Sequence, residues 1–200
     1  MSWNTWSHRI ARQAVRPLVG TRVTPNHLTT LRLLTGVGAA AAFAVGTPGW
    51  VFWGGLLFLF STFLDRADGE LARLAGQRSE WGHQYDLACD LSVTALLFVG
   101  VGFGLRDSVL GLWAIPLGIG TGFAIVAIFW VREKIMEVQD EDEPDIAAAH
   151  ALYDLDDVLY SVGPIAWLGL LLPFLVAAFV CAPLFAFWLL RRYYRLRYAH

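Results

Sequence analysis

The stretch Asp65-Arg66-Ala67-Asp68-Gly69-Glu70-Leu71-Ala72-Arg73, followed after eight residues by Gly82-His83-Gln84-Tyr85-Asp86-Leu87-Ala88-Cys89-Asp90, sets four aspartates between two strongly apolar segments. On the insertion scale a charged side chain in such a segment costs about 2.5–3.5 kcal/mol. Ionisable residues there are rare and line binding or transport sites. Their spacing is helical. Asp65, Asp68, Gly69, Ala72 and Arg73 share one face of a helix, and Gly82, Asp86 and Asp90 share a face of the next.

Composition sets the surroundings of that stretch. The chain has 200 residues, of which 56% are hydrophobic and 16% charged, against about 25% charged in an ordinary soluble domain. A soluble globular class is thereby excluded, and the length suits one domain. The net charge of −2 carries no partner information, and no nucleic-acid partner is expected. Cys89 and Cys181 sit in apolar runs without metal-type spacing and read as reduced core residues. Residues 1–20 lack the apolar core and small-residue cleavage site of a signal peptide, so the N-terminus is expected to be retained.

Apolar runs of spanning length, about 20 residues, cover 28–45, 50–64 (continuing as helix to about Arg73), 85–104 and 109–131. Residues 158–190 are too long for one span. A bend at 170–174, containing Pro173, splits them into a fifth and a sixth. The expected fold class is therefore an all-α integral membrane protein with six transmembrane helices in residues 21–200. Residues 1–20 form a separate amphipathic helix: Trp3, Trp6, Ile10, Ala14 and Leu18 lie on one side, His8, Arg9, Arg12 and Arg16 on the other. That pattern suits a helix lying in the membrane interface. The acidic stretch 139–145 reads as a loop leading to a short helix from Ile146, with Asp154, Asp156 and Asp157 as a solvated charge run.

Arginine placement gives an orientation. Arg9, Arg12, Arg16, Arg22, Arg78, Arg132, Lys134, Arg191, Arg192, Arg195 and Arg197 fall on one side, and Arg106 on the other. Both termini and the aspartates are expected on the cytoplasmic side of the plasma (inner) membrane.

Carboxylates without thiolates or clustered imidazoles are hard oxygen ligands suited to Mg²⁺ or Mn²⁺. Pairing of Asp65 with Arg66 or Arg32 is the simpler reading of one such residue. It does not account for four carboxylates with so few cations nearby. Two metals about 3.5–4 Å apart are the usual device for displacement at phosphorus. Gly69, Ala72 and Gly82 leave room for a pyrophosphate against the helix backbones, and Arg73 can pair with phosphate. Arg132 and Lys134 are candidates for receiving the phosphate of an acceptor, or else positive-inside anchors. His83, three residues before Asp86, is close enough to touch a substrate, although a surface-loop histidine is the commoner reading. The pairs Gly100/Gly104 and Gly118/Gly122 permit close helix approach, within the bundle or between subunits.

The constellation resembles the signature of the CDP-alcohol phosphotransferase (CDP-alcohol phosphatidyltransferase) family, D-x-x-D-G-x-x-A-R, eight residues, G-x-x-x-D-x-x-x-D. Every defined position is matched, by Asp65, Asp68, Gly69, Ala72, Arg73, Gly82, Asp86 and Asp90. Upstream, Thr24-Pro25-Asn26-His27-Leu28-Thr29 is similar to the family's T-P-N-x-L-T segment, and the likeness covers about residues 20–192. It implies that Asp65, Asp68 and Asp86 hold metal, and that Asp90 shares a second metal or acts as the base. It also implies that Gly69, Ala72, Arg73 and Gly82 cradle the CDP moiety, with Asn26 and Thr29 nearby, in a homodimer among membrane lipids. The implied reaction is attack of an alcohol hydroxyl on the β-phosphorus of a CDP-linked donor, releasing CMP. The leading version uses CDP-diacylglycerol and a small polar alcohol. Members that use glycerol phosphate or inositol phosphate often follow the fourth aspartate with Lys or Arg, and here Leu91 follows it. The run Asp86-Leu87-Ala88-Cys89-Asp90 has some likeness to the D-H-G-C-D segment of choline and ethanolamine phosphotransferases, which use a soluble CDP-alcohol and a lipid hydroxyl. A transporter of divalent cations or protons is the rival from another class. It is disfavoured because the aspartates cluster near one face.

Overall fold

A computed structural model describes residues 6–77, 79–138 and 159–198, which form seven helices and no strand. They are α1 (Trp6–Val15), α2 (Pro25–Val45), α3 (Pro48–Ala75), α4 (Glu80–Gly104), α5 (Ala114–Val138), α6 (Val162–Trp167) and α7 (Leu171–Tyr198). The expected acidic loop, the helix from Ile146 and the set Asp154, Asp156 and Asp157 lie outside the described residues, as do Trp3 and Arg78.

Local chemistry sets the helix ends. Pro25 occupies the first turn of α2, where its missing N–H is no loss. The backbone N–H of Thr24 donates to His27 Nδ1 at 3.2 Å, so His27 is a capping residue. Gly46, in the left-handed region at φ 78°, ends α2, and Pro48 starts α3 at once, giving a tight antiparallel pair. Ser79 Oγ accepts from the Gly82 N–H at 3.0 Å and caps α4.

The main core joins Ala39 and Phe43 of α2, Phe58 of α3, Val93, Leu97, Phe98 and Val101 of α4, Val162 of α6 and Leu175 of α7. A second cluster joins Ile128, Val131 and Ile135 of α5 to Ala182, Leu189 and Tyr193 of α7. The glycine pairs belong to this intramolecular packing. A Cβ on Gly100 would strike the Ala40 carbonyl, one on Gly104 the Phe43 carbonyl, and one on Gly118 the Phe98 carbonyl. Gly122 lies against Ala95. Contact inside the bundle is thus one of the two expected uses of these glycines.

Four helical segments are long and apolar enough to cross a membrane: Pro25–Val45, Glu80–Gly104, Gly111–Ile135 and Leu171–Arg197. Six spans are thus not reached among the described residues. α3 is 28 residues long, but its last third carries the charges from Asp65 to Arg73. The expected bend at 170–174 needs correction. The break falls at residues 168–170, where Gly169 takes φ 72°. Pro173 sits in the first turn of α7, where a proline removes no helical hydrogen bond. α6 itself has six residues, preceded by helical Leu159 and Tyr160.

α1 lies against α3 through Ala11 and Val15, with Val15 packed on Ala67 and Leu71. Ile10, at 49% exposure, stays outside this contact. The stripe Ile10–Ala14 expected to meet lipid is therefore left free, while a narrower stripe of small residues docks on the bundle. Arg12, expected on the headgroup side, instead reaches Glu70 of α3.

Helix direction gathers the cations at one end. His83 of α4 lies 3.5 Å from Glu133 of α5, and Tyr193 packs with Ile135. Arg132, Arg191 and Arg192 thus lie at the same end as the aspartates. At the other end the Arg106 Nη1 donates to the carbonyls of Ala44 at 2.9 Å and Phe103 at 2.8 Å.

Gly100→Ala and Gly104→Ala should each destabilise the protein by about 1–3 kcal/mol, because the added methyl meets a backbone carbonyl that cannot move aside. Gly69→Ala, with nothing within 4 Å of the new Cβ, should leave stability unchanged. Thermal unfolding in detergent checks this; equal melting of all three variants would refute the packing.

Candidate active site

α3 and α4 bring three carboxylates together. One oxygen each from Asp65, Asp68 and Asp86 lies within 4.8 Å of the others. Asp65 and Asp68 sit one turn apart on α3, and Asp86 faces them from α4, as the helical spacing requires. Thr29 Oγ1 of α2 donates to Asp68 Oδ2 at 2.7 Å, holding one carboxylate oxygen while the other stays available.

Arg32, one turn beyond Thr29, completes the cluster. Its Nη1 lies 2.8 Å from Asp65 Oδ1 and 3.1 Å from Asp86 Oδ1, and its Nη2 pairs with Asp90. The residue is only 5% exposed, and its carbonyl accepts from Ser61 Oγ at 2.9 Å. Pairing of Asp65 with Arg32 is therefore real, and it extends to two further aspartates. Arg32 offsets one of the four formal negative charges gathered in this part of the bundle. An all-oxygen set of that charge and convergence fits a hard divalent cation. The converging set is Asp65, Asp68 and Asp86; Asp90 meets it through Arg32.

Beside the aspartates opens a cleft of about 420 Å³ lined by Asn26, Thr29, Asp68, Gly69, Ala72, Arg73, Gly82 and Asp86, among others. All six residues expected to cradle CDP line it. Gly69 faces open space, so a side chain there would fill the cleft and not strike the protein. Gly82 brings the α4 backbone close to Asn26, whose Oδ1 would lie 3.4 Å from an added Cβ. Arg73 Nη1 is held by Glu70 Oε1 at 2.6 Å.

Asp65 and Asp90 lie on the other side of the cluster. They border a small recess with Arg32, Ser61, Thr62, Arg66 and Thr94. The aspartates thus stand between two openings. The two candidate acceptor cations separate: Lys134 lines an apolar groove with Leu87, Leu91, Phe123 and Trp130, while the Arg132 Nε is buried without a hydrogen-bond partner. Neither lines the cleft or the recess. His83 is exposed, as expected of a surface residue, but it belongs to the first turn of α4 and not to a loop, and it lines the cleft. The unassigned site residues were Arg32, Glu70, Ser79 and His83. Only Arg32 carried a signal, three residues after Thr29 on the face of an apolar helix.

The family model for CDP-alcohol phosphatidyltransferase matches residues 22–189. The chain belongs to this family. It is also similar to a CDP-diacylglycerol–glycerol-3-phosphate 3-phosphatidyltransferase from Cereibacter sphaeroides, with 38% identity over 76 residues, covering 38% of this chain and 34% of the relative. The match therefore spans about a third of that relative's length. In this CDP-alcohol phosphatidyltransferase family member the matched segment includes α2 to α7 as far as Leu189, and hence every residue of the cluster and cleft.

Removing the central cation tests the cluster. Arg32→Gln should lower stability in chelator by about 3 kcal/mol or more, since it leaves carboxylates unpaired. Millimolar Mg²⁺ should recover most of that loss. Denaturant unfolding with and without Mg²⁺ provides the measurement, and an equal loss in both buffers would argue against cation binding at the aspartates.

Proposed function

We propose that this protein transfers a phosphatidyl group from CDP-diacylglycerol to a small polar alcohol, releasing CMP. The observation that carries the reading is the join between the Asp65–Asp68–Asp86 triad and the cleft lined by Asn26, Thr29, Gly69, Ala72, Arg73 and Gly82. A cleft of that size suits a nucleotide, with Arg73 and the glycine-lined backbone of α3 receiving its phosphates. Similarity to the Cereibacter sphaeroides CDP-diacylglycerol–glycerol-3-phosphate 3-phosphatidyltransferase supports a phosphatidyl donor over a soluble CDP-alcohol.

Mg²⁺ or Mn²⁺, one or two ions per site, would neutralise the pyrophosphate and steady the leaving CMP. The residues do the rest. Thr29 orients Asp68, and Arg32 fixes Asp65, Asp86 and Asp90 in one arrangement. The acceptor hydroxyl meets the β-phosphorus on the side of the cluster that Asp90 borders. Its oxygen bonds to the β-phosphorus as the bond from that phosphorus to the CMP oxygen breaks. Asp90 accepts the hydroxyl proton in the same step, because a carboxylate is too weak a base to ionise an alcohol beforehand. Leu91 presents an aliphatic surface to the groove along α4 and α5, in keeping with an acceptor that does not rely on a cation at that position.

The same reading places six spans in the membrane, with α3 and the segment ending in α6 added to the four apolar ones. The end that gathers Arg132, Arg191 and Arg192 faces the cytoplasm, where CDP-linked donors are made. α1, with Ile10 and Ala14 exposed, rests in the interface. Against transport stands the position of the acidic cluster at one end of the bundle, while Phe43, Phe58, Leu97, Phe98 and Val101 fill its middle.

Purified protein given CDP-diacylglycerol, a panel of alcohols and Mg²⁺ should release CMP and form one new phospholipid, identified by mass. Chelator should abolish the reaction. Asp90→Asn should keep donor binding within a few-fold yet lose turnover by about 10²-fold or more, whereas Asp68→Asn should weaken donor and metal binding together. Product from CDP-choline and a diglyceride in place of CDP-diacylglycerol would overturn the phosphatidyl reading. Near wild-type turnover by Asp90→Asn would remove Asp90 from its role.

A further inference from the structure

Glu70 lies at a position that the family signature leaves undefined, directly after Gly69, yet it is one of the most deeply buried polar residues of the bundle, at 1% exposure. A carboxylate so placed must be paired, since an isolated buried charge is far too costly. Two of its partners are arginines, one on each oxygen. Oε1 receives Arg73 Nη1 at 2.6 Å and Oε2 receives Arg12 Nε at 2.9 Å. Arg73 lines the nucleotide cleft, and Arg12 comes from α1, outside the region that the family model covers. We propose that Glu70, braced by Arg12, is a positioning residue that holds the Arg73 guanidinium ready for the phosphates of a nucleotide diphosphate, so that α1 acts on the cleft through a chain of three side chains.

Two physical consequences give the arrangement its purpose. An arginine side chain carries about 2 kcal/mol of rotamer entropy, which must otherwise be lost when ligand binds. Pinning Nη1 on a rigid buried carboxylate removes that loss from the binding step, which is preorganisation. A lone glutamate would achieve this at the expense of Arg73's charge, because the pair is neutral. Arg12 supplies a second positive charge, so the trio of two guanidiniums and one carboxylate carries a net positive charge beside the cleft. α1 is itself held against α3 by Ala11 and Val15, which fixes where Arg12 can reach. The inference rests on the nucleotide reading of the cleft.

The test is titration of CDP with Mg²⁺ into the full-length protein in detergent, by calorimetry, on a set of variants. Glu70→Gln should weaken CDP binding by about fivefold to tenfold and Arg12→Gln by about twofold to fivefold, in the range of removed partners in charge-pair networks. In turnover, both should raise KM for the CDP-linked donor more than they lower kcat. Coupling is the decisive readout. In an Arg73→Gln background, Glu70→Gln should cost no further affinity, and Arg12→Gln should cost none in a Glu70→Gln background. Glu70→Asp should retain part of the affinity that Glu70→Gln loses. Wild-type binding by Glu70→Gln, or an undiminished loss when Arg73 is already absent, would overturn the proposal. Should Glu70→Gln fail to fold, Arg12→Gln, a change at a residue with a half-exposed side chain, decides alone: binding equal to wild type refutes the bracing role. Failure of the underlying reading looks different. Folded wild-type protein would then not bind CDP at all, and Arg73→Gln would change nothing.

Discussion

The placement of Arg32 among the aspartates is the constraint on which the rest of the structure depends. A guanidinium buried in a helix bundle costs several kcal/mol unless it is paired, and this one meets Asp65, Asp86 and Asp90 from two other helices through its two terminal nitrogens, while its Nε lies buried without a hydrogen-bond partner. Its carbonyl is tied to Ser61, so the residue fixes α2 against α3 at the level where the carboxylates converge. The close crossing of α2 and α4 at Gly100 and Gly104 allows this, because only helices whose backbones nearly touch bring Asp86 and Asp90 within reach of a side chain from α2. Packing at the apolar end thereby sets electrostatics at the charged end.

The resulting cluster is deliberately unbalanced. Arg32 offsets one of four negative charges and leaves the oxygens of Asp65, Asp68 and Asp86 facing one another. In a purely structural ion pair the charges would close to zero. Such a surplus beside a cleft and a smaller recess is what the proposed reaction, with its own cations and phosphates, calls for. The two openings also divide the residues: Thr29, Gly69, Arg73 and Gly82 line the larger one, and Asp90 borders the smaller.

The N-terminal helix shows how one segment can serve two surroundings. Its sequence advertises an amphipathic face, and Ile10 and Ala14 of that face remain exposed. A second, narrower face of Ala11 and Val15 docks on α3, and Arg12 beside it reaches inward to Glu70. Small residues permit the close approach, and the length of an arginine side chain spans what remains.

Much of this protein was legible from residue order alone. Helical class, the runs later occupied by α2, α4, α5 and α7, the four aspartates and the six cleft residues all follow from period and hydropathy, or from a motif with every defined position present. These are properties of one segment at a time, and one segment's chemistry suffices to express them. The extent of α6 was not legible, because an apolar run long enough for two spans does not say where it breaks; Gly169 and the tolerance of a first-turn proline decided that. Nor could sequence assign the glycine pairs to the bundle, separate Arg132 from Lys134, or place His83 beside the cleft in the first turn of α4. The pairing of Asp65 with Arg32 was among the readings the sequence offered, but the extension of Arg32 to Asp86 and Asp90, and the Arg12–Glu70–Arg73 chain, were not legible for the same reason. Each joins residues 33 to 58 positions apart or sits at a motif position open to any residue, and which charge meets which is settled only when helices pack closely enough to exclude water between them.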